Sequence, residues 1–300
     1  TIPSNYKLQK NKLFKEYFFD ICNTKKLIKV CKSHKPDIIF HLAAQSLVQS
    51  SFTNPQETIK TNTIGTLSVL EALKEHNSKI DVIFITSDKV YENLEWQYGY
   101  RENDILGGKD PYSISKFFAE KLINNYYLNF LKYKNNIRIA IARAGNVIGG
   151  GDWAEDRIVP DSIRALIAGK PIQVRSPLSS RPWQHVLEPL SGYLILAEKL
   201  HKNKEPKISK QSSWNFGPNI SNCKSVKFVA NFFAKRLNLK IKVLKKKSRI
   251  FKPETHLLRL NNNKSKKILR CNPKWNLQKT LNKILEWNYL IKNRDPRNVC

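Results

Sequence analysis

The chain has 300 residues, of which 41% are hydrophobic, with 11 glycines and 14 prolines. This composition is ordinary for a folded globular protein and excludes a disordered, collagen-like or small disulfide-stapled chain. The formal net charge is +29, but the basic residues are spread along the chain without an aromatic-interleaved recognition motif. The charge is therefore a weak indication of nucleic-acid binding and is compatible with a polyanionic small substrate.

Two further absences in the sequence narrow the class of protein. No apolar run reaches the roughly 18 residues of a membrane helix, and the first residues lack the apolar centre of a signal peptide, so we expect a soluble, cytoplasmic protein. The cysteines are odd in number, scattered and without a CxxC pair, which favours reduced structural thiols over a disulfide framework or a metal site; they are Cys22, Cys31, Cys223, Cys271 and Cys300.

Three nearly uninterrupted apolar runs, at 36–44, 81–87 and 137–147, predict parallel strands that are covered on both faces. A helix is predicted between the first two runs, with one apolar stripe at three-residue steps. That stripe consists of Ile64, Leu67, Leu70 and Leu73.

The second predicted helix begins with Asp110 as its N-cap and Pro111 at its first position. Its buried face is predicted to hold Ile114, Phe117, Phe118 and Leu122. The resulting βαβαβ pattern indicates an α/β fold with a doubly wound parallel sheet.

After residue 147 a glycine cluster and proline-broken segments replace this alternation. We therefore expect a sheet domain over 1–147, rejoined by about 183–215, and a smaller lobe formed by 148–182 and 216–300.

The most informative chemistry lies in a YxxxK pair, Tyr112 and Lys116, at the start of the second helix. Positions i and i+4 share a helix face, and a nearby ammonium would lower the pKa of a tyrosine toward the working pH of a general base. Such pairs are also common by chance. Here Ser87, Asp88 and Lys89 end a buried strand upstream, and both elements point to the carboxyl edge of the sheet. An Asp or Lys at a strand end is more often a solvated cap, but this adjacent pair favours catalysis.

Several long strings carry a family resemblance over about residues 20–220: HLAAQSLV, TSDKVYEN, GGKDPYSISK, RAGNVIGGGDWAEDRIVPD, RPWQHVLEPLSGYLILAEKL and WNFGP. With them the chain resembles the extended short-chain dehydrogenase/reductase family, and within it the dehydratases that act on CDP-glucose. The resemblance implies a Rossmann-type NAD domain with a nucleotide-sugar-binding lobe, and a homodimer. It also implies redox-neutral 4,6-dehydration of CDP-glucose, for deoxysugar and surface polysaccharide biosynthesis.

The same resemblance assigns catalytic roles. Tyr112 would deprotonate the sugar 4-hydroxyl, and Lys116 would hold the nicotinamide ribose. Ser87 would bind the 4-oxygen, and Asp88 would protonate the departing water. Lys89 stands where dTDP-glucose relatives carry Glu, and would act as the C5 base or as an electrostatic stabiliser.

Ligand-binding residues are also implied by the resemblance. Those for NAD, besides Tyr112 and Lys116, are Asp20, Ile21, Leu42, Ala43, Ala44 and Asn62. Those for the nucleotide sugar, besides Ser87, are Asn146, Arg157, Arg175 and Arg181. Small alanines at a strand end are equally what tight packing would select, and His185 is interpreted as structural.

A Rossmann domain normally begins with a strand, a glycine-rich turn and a helix whose N-terminus faces the diphosphate. No glycine precedes Gly65, and 16–21 (EYFFDI) resembles the family's third strand. We therefore expect the first strand, turn and helix to lie upstream of Thr1, and the 300 residues alone to bind NAD weakly or not at all and to be inactive. Two other functions stay open: another nucleotide-sugar epimerase or dehydratase of this fold, or a polyanion-binding protein without turnover.

Overall fold

The computed structural model describes residues 14–202, 211–244 and 255–293. Its centre is a four-stranded parallel sheet in the order β1-β2-β3-β8. These strands are β1 (Ile38–His41), β2 (Ile80–Ile85), β3 (Ile137–Ala144) and β8 (Gln211–Phe216). The three predicted apolar runs are thus confirmed as parallel strands.

Helices cover both faces of this sheet. On one face α1 (Thr24–His34), α4 (Gly65–Lys74) and α5 (Pro111–Tyr126) pack against the apolar side chains of β2 and β3. On the other face α7 (Leu187–Lys202) packs through residues such as Leu196, which is fully buried. Burial on both faces explains why these strands read as continuous apolar runs. The doubly wound architecture is confirmed.

The stripe predicted on α4 is only half right. Leu70 and Leu73 are buried, but Ile64 is 43% exposed and Leu67 is partly exposed. Three-residue steps turn by about 300° on a helix of 3.6 residues per turn, so a stripe of four residues at such steps drifts around the helix instead of following one face. The chain here is also one run of α3 (Pro55–Ile59), a π-turn (Lys60–Ile64) and α4.

The N-cap of α5 is as predicted, because the Asp110 carboxylate accepts a hydrogen bond from the Ser113 amide at 2.9 Å. Its predicted apolar face is wrong: Phe118 is 41% exposed and the other three members are partly exposed. The buried face is instead mostly polar, with Tyr112, Ser113, Ser115, Lys116, Ala119, Glu120 and Ile123. These polar groups have partners at the sheet edge, so their burial is compensated.

Residues 16–21, which resemble a strand, have no strand pairing, and Phe18 is 78% exposed. A strand is stabilised by hydrogen bonds to a neighbour, and the part of the chain that the structure describes presents none to this segment.

The second half contributes a separate apolar core around Trp183, Phe233 and Leu281. Its helices are α6 (Ile158–Ile167), α8 (Val226–Leu237) and α9 (Leu277–Asn293). In the first half, a short helix α2 (Val48–Thr53) follows β1. Its strands form small two-stranded sheets: β4 (Val147–Ile148) with β7 (Gln184–His185), β5 (Ile172–Val174) with β10 (Ile241–Val243), and β6 (Ser180–Pro182) with β9 (Cys223–Ser225).

Not all of 216–300 lies with this second core. Leu269, at the end of a π-turn (Ser265–Leu269), and Cys271 pack on the α7 face of the main sheet. The domain boundaries themselves stay a prediction.

A dense run of basic residues occupies 240–252, and most of it lies outside the described residues. Within them, no helix is long and apolar enough to span a membrane, no cluster of metal-ligating side chains occurs, and four cysteines are free thiols.

Candidate active site

The candidate site lies at the carboxyl edge of the sheet, where parallel strands direct their following residues. Ser87, Asp88 and Lys89 follow β2, with a 3₁₀ turn at Asp88–Val90. The Ser87 hydroxyl accepts a hydrogen bond from the Lys89 amide at 3.2 Å and donates one to the Asp88 carboxylate at 3.1 Å. Serine capping thus fixes the backbone of this turn and one oxygen of its acid.

The Asp88 carboxyl group has the environment of a proton donor. Its residue is 2% exposed, and its Oδ2 atom has no hydrogen-bond partner among the described residues. Burial raises the pKa of Asp88, against the opposing charges of Lys89 and Arg181. Since burial disfavours the charged carboxylate, the proton is held closer to neutral pH than in an ordinary aspartic acid.

Gly145, which follows β3, makes room for this carboxyl group, a role that the sequence did not indicate. A Cβ atom at Gly145 would lie 2.0 Å from Asp88 Oδ2. We expect Gly145→Ala to displace the Asp88 side chain, lowering turnover about 10²-fold and stability by about 1–3 kcal/mol. Steady-state rates and thermal unfolding measure both effects. Gly107→Ala is the matched control, because its nearest contact is at 3.4 Å. Equal rates for the two variants would contradict the prediction.

Tyr112 and Lys116 are brought to the same place by the first turns of α5, and both are more than 90% buried. Burial raises the pKa of Tyr112 to about 12, with hydrogen bonding to Ser87 acting in the opposite direction. Burial also lowers the pKa of Lys116 to about 8. The expected lowering of the tyrosine pKa is therefore wrong for this structure, because burial disfavours the phenolate and raises that pKa instead. Lys116 Nζ donates instead to the Ile85 carbonyl at 3.4 Å.

The buried ammonium makes a testable prediction about stability. The folded pKa of about 8 lies below the ordinary lysine value, so the unfolded chain binds more protons between pH 8 and 10.5, and stability rises with pH there. We expect Lys116→Met to stabilise the fold below pH 8 by up to about 3 kcal/mol, and the gain to shrink as the pH approaches 10. Chemical denaturation of both proteins at pH 7 and pH 9.5 measures it. A less stable variant at pH 7 would contradict it.

Asn62, on the π-turn before α4, connects two parts of the site. Its side-chain oxygen accepts from the Gln45 amide at 2.8 Å, and its Nδ2 donates to the Gln45 carbonyl and to Ser115 Oγ at 2.9 and 2.8 Å. It therefore ties the loop after β1 to the catalytic helix. The sequence analysis predicted a role for Asn62 but not for Gln45 or Ser115. Gln45 could have been found only by its position directly after Ala43 and Ala44, and Ser115 only by its position between Tyr112 and Lys116.

The residues expected to contact a cofactor surround the end of β1. Leu42 is 53% exposed, Ala43 is exposed and Ala44 is half-buried, which leaves an open apolar edge there. The Asp20 carboxylate accepts from the Cys22 amide at 2.8 Å. Ile21 lies against Gly65 at the start of α4, within 2.7 Å of where a Cβ would stand.

The four residues expected to bind the nucleotide sugar are not all equally placed. Arg181 is buried and its charge acts on Asp88, while Arg157 acts on Tyr112. Arg175 pairs with Asp156. Asn146 has a positive φ of 39°, and its carbonyl accepts from the Gln184 amide at 3.3 Å.

Arg157 also bridges two segments across this edge, bonding Asp152 at 3.1 Å and Ser46 Oγ at 3.3 Å. The His185 ring packs on Trp275 at 4.7 Å and its Nδ1 accepts from the Leu187 amide at 3.2 Å. Both contacts of His185 are with neighbouring parts of the fold, in keeping with the structural role expected for it. A solvent-open cleft adjoins the site, with Lys89 and Lys109 in its lining.

Known proteins resemble this chain over most of its length. A CDP-glucose 4,6-dehydratase of Salmonella typhimurium is 40% identical over all of this chain and 84% of its own length. The structure of the dTDP-glucose 4,6-dehydratase of Bacillus anthracis in complex with NAD has a TM-score of 0.77 and 21% identity, over 97% of this chain and 85% of that one. The UDP-glucose 4-epimerase of Thermotoga maritima, with UDP-glucose, has a TM-score of 0.79 and 20% identity, over 95% and 87%.

The two structural likenesses, both below 25% identity, establish the fold. A family model also matches residues 3–211. Together with the catalytic edge described above, this match shows that the chain belongs to the NAD dependent epimerase/dehydratase family.

Proposed function

We propose that the protein catalyses the NAD-dependent 4,6-dehydration of CDP-glucose to CDP-4-keto-6-deoxyglucose. The observation that carries the proposal is the buried Asp88 carboxyl group, with one oxygen unpartnered among the described residues, on the same sheet edge as Tyr112 and Lys116. Elimination of water needs a proton donor for the leaving hydroxyl, whereas epimerisation at C4 does not. The 40% identity to a CDP-glucose 4,6-dehydratase supports the choice of substrate.

The residues at the end of β1 would contact the diphosphate and ribose part of NAD. Leu42 and Ala43 are exposed there, and the charge of the buried Lys116 ammonium acts on His41 in the same strand, so Lys116 would donate to ribose hydroxyls. Asp20 and Ile21 would hold the adenine end. NAD held in this way would supply the hydride acceptor for sugar C4 and the hydride donor for C6.

The side chains divide the proton transfers among them. Tyr112 Oη, as the phenolate, takes the proton of the C4 hydroxyl. Ser87 Oγ, which donates to Asp88 in the ligand-free protein, turns its hydrogen to the developing C4 oxygen. The resulting ketone acidifies C5, whose proton passes to a base at Lys89. The C6 hydroxyl leaves as water with a proton from Asp88, and the C5 proton is returned when C6 is reduced. Burial raises the pKa of Tyr112 to about 12 in the ligand-free protein, so the phenol must first release its own proton to solvent before its Oη can act as the base.

Basic side chains around the site would neutralise the sugar diphosphate. The charge of Arg157 acts on Tyr112, and the charge of Arg181 acts on Asp88. Asn146 lies in the turn between β3 and β4. Arg175 pairs with Asp156 and would share or exchange this partner to contact phosphate. Guanidinium groups suit this role because they bind phosphate through paired hydrogen bonds.

Product analysis tests the proposal. The complete gene product is incubated with NAD and, separately, CDP-, dTDP- and UDP-glucose, and products are identified by mass spectrometry. We expect CDP-glucose to lose one water faster than the other two substrates. A product of unchanged mass would indicate an epimerase, and no conversion together with salt-sensitive retention on DNA or RNA would indicate a polyanion-binding protein.

The assembly and setting belong to the same proposal. The exposed apolar side chains of α5 and the turn after it, among them Phe118, Leu128 and Phe130, suit a homodimer in which α4 and α5 meet their copies. Sedimentation of wild type and Phe118→Glu tests this. Since nucleotide sugars are made and used in the cytoplasm, we place the reaction there, as a step toward deoxysugars of surface polysaccharides.

A further inference from the structure

A buried hydrogen bond joins the segment after β2, which carries Ser87 and Asp88, to helix α5, which carries Tyr112 and Lys116. Thr86 follows β2 and directly precedes Ser87, and its hydroxyl donates to Glu120 Oε1 at 2.6 Å. Glu120 lies on α5 one turn after Lys116 and two turns after Tyr112, so the three side chains share one helix face. Both partners are buried, with Thr86 8% exposed and Glu120 fully covered.

Arg143 on β3 completes this connection. Its Nε and Nη2 atoms hold the Glu120 carboxylate at 2.9 and 2.6 Å, and its Nη1 donates to the Tyr91 hydroxyl at 2.8 Å. The Tyr91 hydroxyl in turn donates to Asn215 on β8 at 2.7 Å. The residue after β2, strand β3 and helix α5 therefore meet at one carboxylate, and β8 is linked to it through Tyr91 and Arg143.

Buried ion pairs are a poor source of stability, because removing two charges from water offsets most of their attraction. Where a carboxylate has all its partners in place, it can instead fix one arrangement of the elements that it joins. Here the elements are the strand end with Ser87 and Asp88 and the helix face with Tyr112 and Lys116.

We propose that Thr86 and Glu120 are positioning residues that hold the proton donor of the elimination at its correct distance from the base of the oxidation. This rests on the proposed function, in which one sugar must meet both segments in turn. Neither residue touches the substrate, so their effect acts through Asp88 and Tyr112.

Thr86→Val tests the connection, because valine keeps the shape of threonine while Glu120 keeps its bonds to Arg143. We expect kcat for the dehydration to fall about 10- to 100-fold with the KM for CDP-glucose within about threefold, since a small misplacement of reacting groups slows chemistry more than binding. Thr86→Ser, which retains the hydroxyl, should restore kcat to within about threefold. Thr280→Val is the control: that threonine is also buried, and its hydroxyl has no partner among the described residues.

Amide hydrogen exchange provides a readout that does not depend on the substrate. The amides of Lys89 and Val90 bond Ser87 at 3.2 and 3.3 Å, and we expect them to exchange about 10-fold faster in Thr86→Val only. Unchanged kcat and exchange, an equal loss in Thr86→Ser, or a change confined to KM would each overturn the proposal. If the wild type does not dehydrate CDP-glucose, the proposed function fails. The amide exchange rates of Lys89 and Val90 still show whether the hydrogen bond between Thr86 and Glu120 holds this turn in place.

Discussion

Replacing Tyr112 by Phe should abolish sugar conversion while leaving the fold intact. The ring still packs at the start of α5, and only the hydroxyl that takes the C4 proton is lost. General-base removal costs about 10²- to 10⁴-fold in rate, and without C4 oxidation no later step can follow. Product formation followed by mass spectrometry measures the effect.

Tyr126→Phe is the matched control for this variant. Tyr126 lies at the other end of the same helix, and its hydroxyl donates to Glu71 at 2.8 Å, away from the catalytic edge. It should keep wild-type turnover. Undiminished turnover by Tyr112→Phe would show that another group removes the proton and would remove the basis for the catalytic assignment.

Replacing Asp88 by Asn should stop elimination while preserving the earlier step. The amide keeps the shape of the side chain but has no acidic proton for the leaving water, so dehydration should slow by about 10²-fold or more. Binding of CDP-glucose, measured by calorimetry, should change little. The control is Asp37→Asn, which is exposed at the opposite end of β1. Normal dehydration by Asp88→Asn would exclude Asp88 as the acid.

The Asp88→Asn substitution, which should lower activity, should not lower the stability of the fold. The folded pKa of Asp88 is raised by burial, so above the unfolded pKa its ionisation disfavours the folded state. Asp88→Asn should therefore unfold at the same or a higher temperature than wild type at pH 7, and the difference should vanish as the pH falls below about 4. A lower unfolding temperature at pH 7 would contradict this.

The sequence by itself determined the sheet and the position of the site. Uninterrupted apolar runs can be satisfied only between two layers of helices, and the carboxyl ends of parallel strands share one edge. Asp110 and Pro111 were sufficient to place the start of α5, because capping is decided by residues within one turn. The candidate catalytic residues followed from local patterns together with the family resemblance, and their roles stay a prediction.

Tertiary structure alone decided which face of α5 is buried and what the protonation of the site is. Phe118 of α5 is exposed while polar residues such as Glu120 are buried, because Glu120 meets Arg143 and Thr86 from strands that are distant in sequence. No local pattern reports such partners. The pKa values of Tyr112 and Lys116 likewise depend on how much water the assembled site excludes, which their spacing in the sequence does not report. The space that Gly145 leaves for Asp88 is of the same kind, since the two residues come together only when β2 and β3 pair.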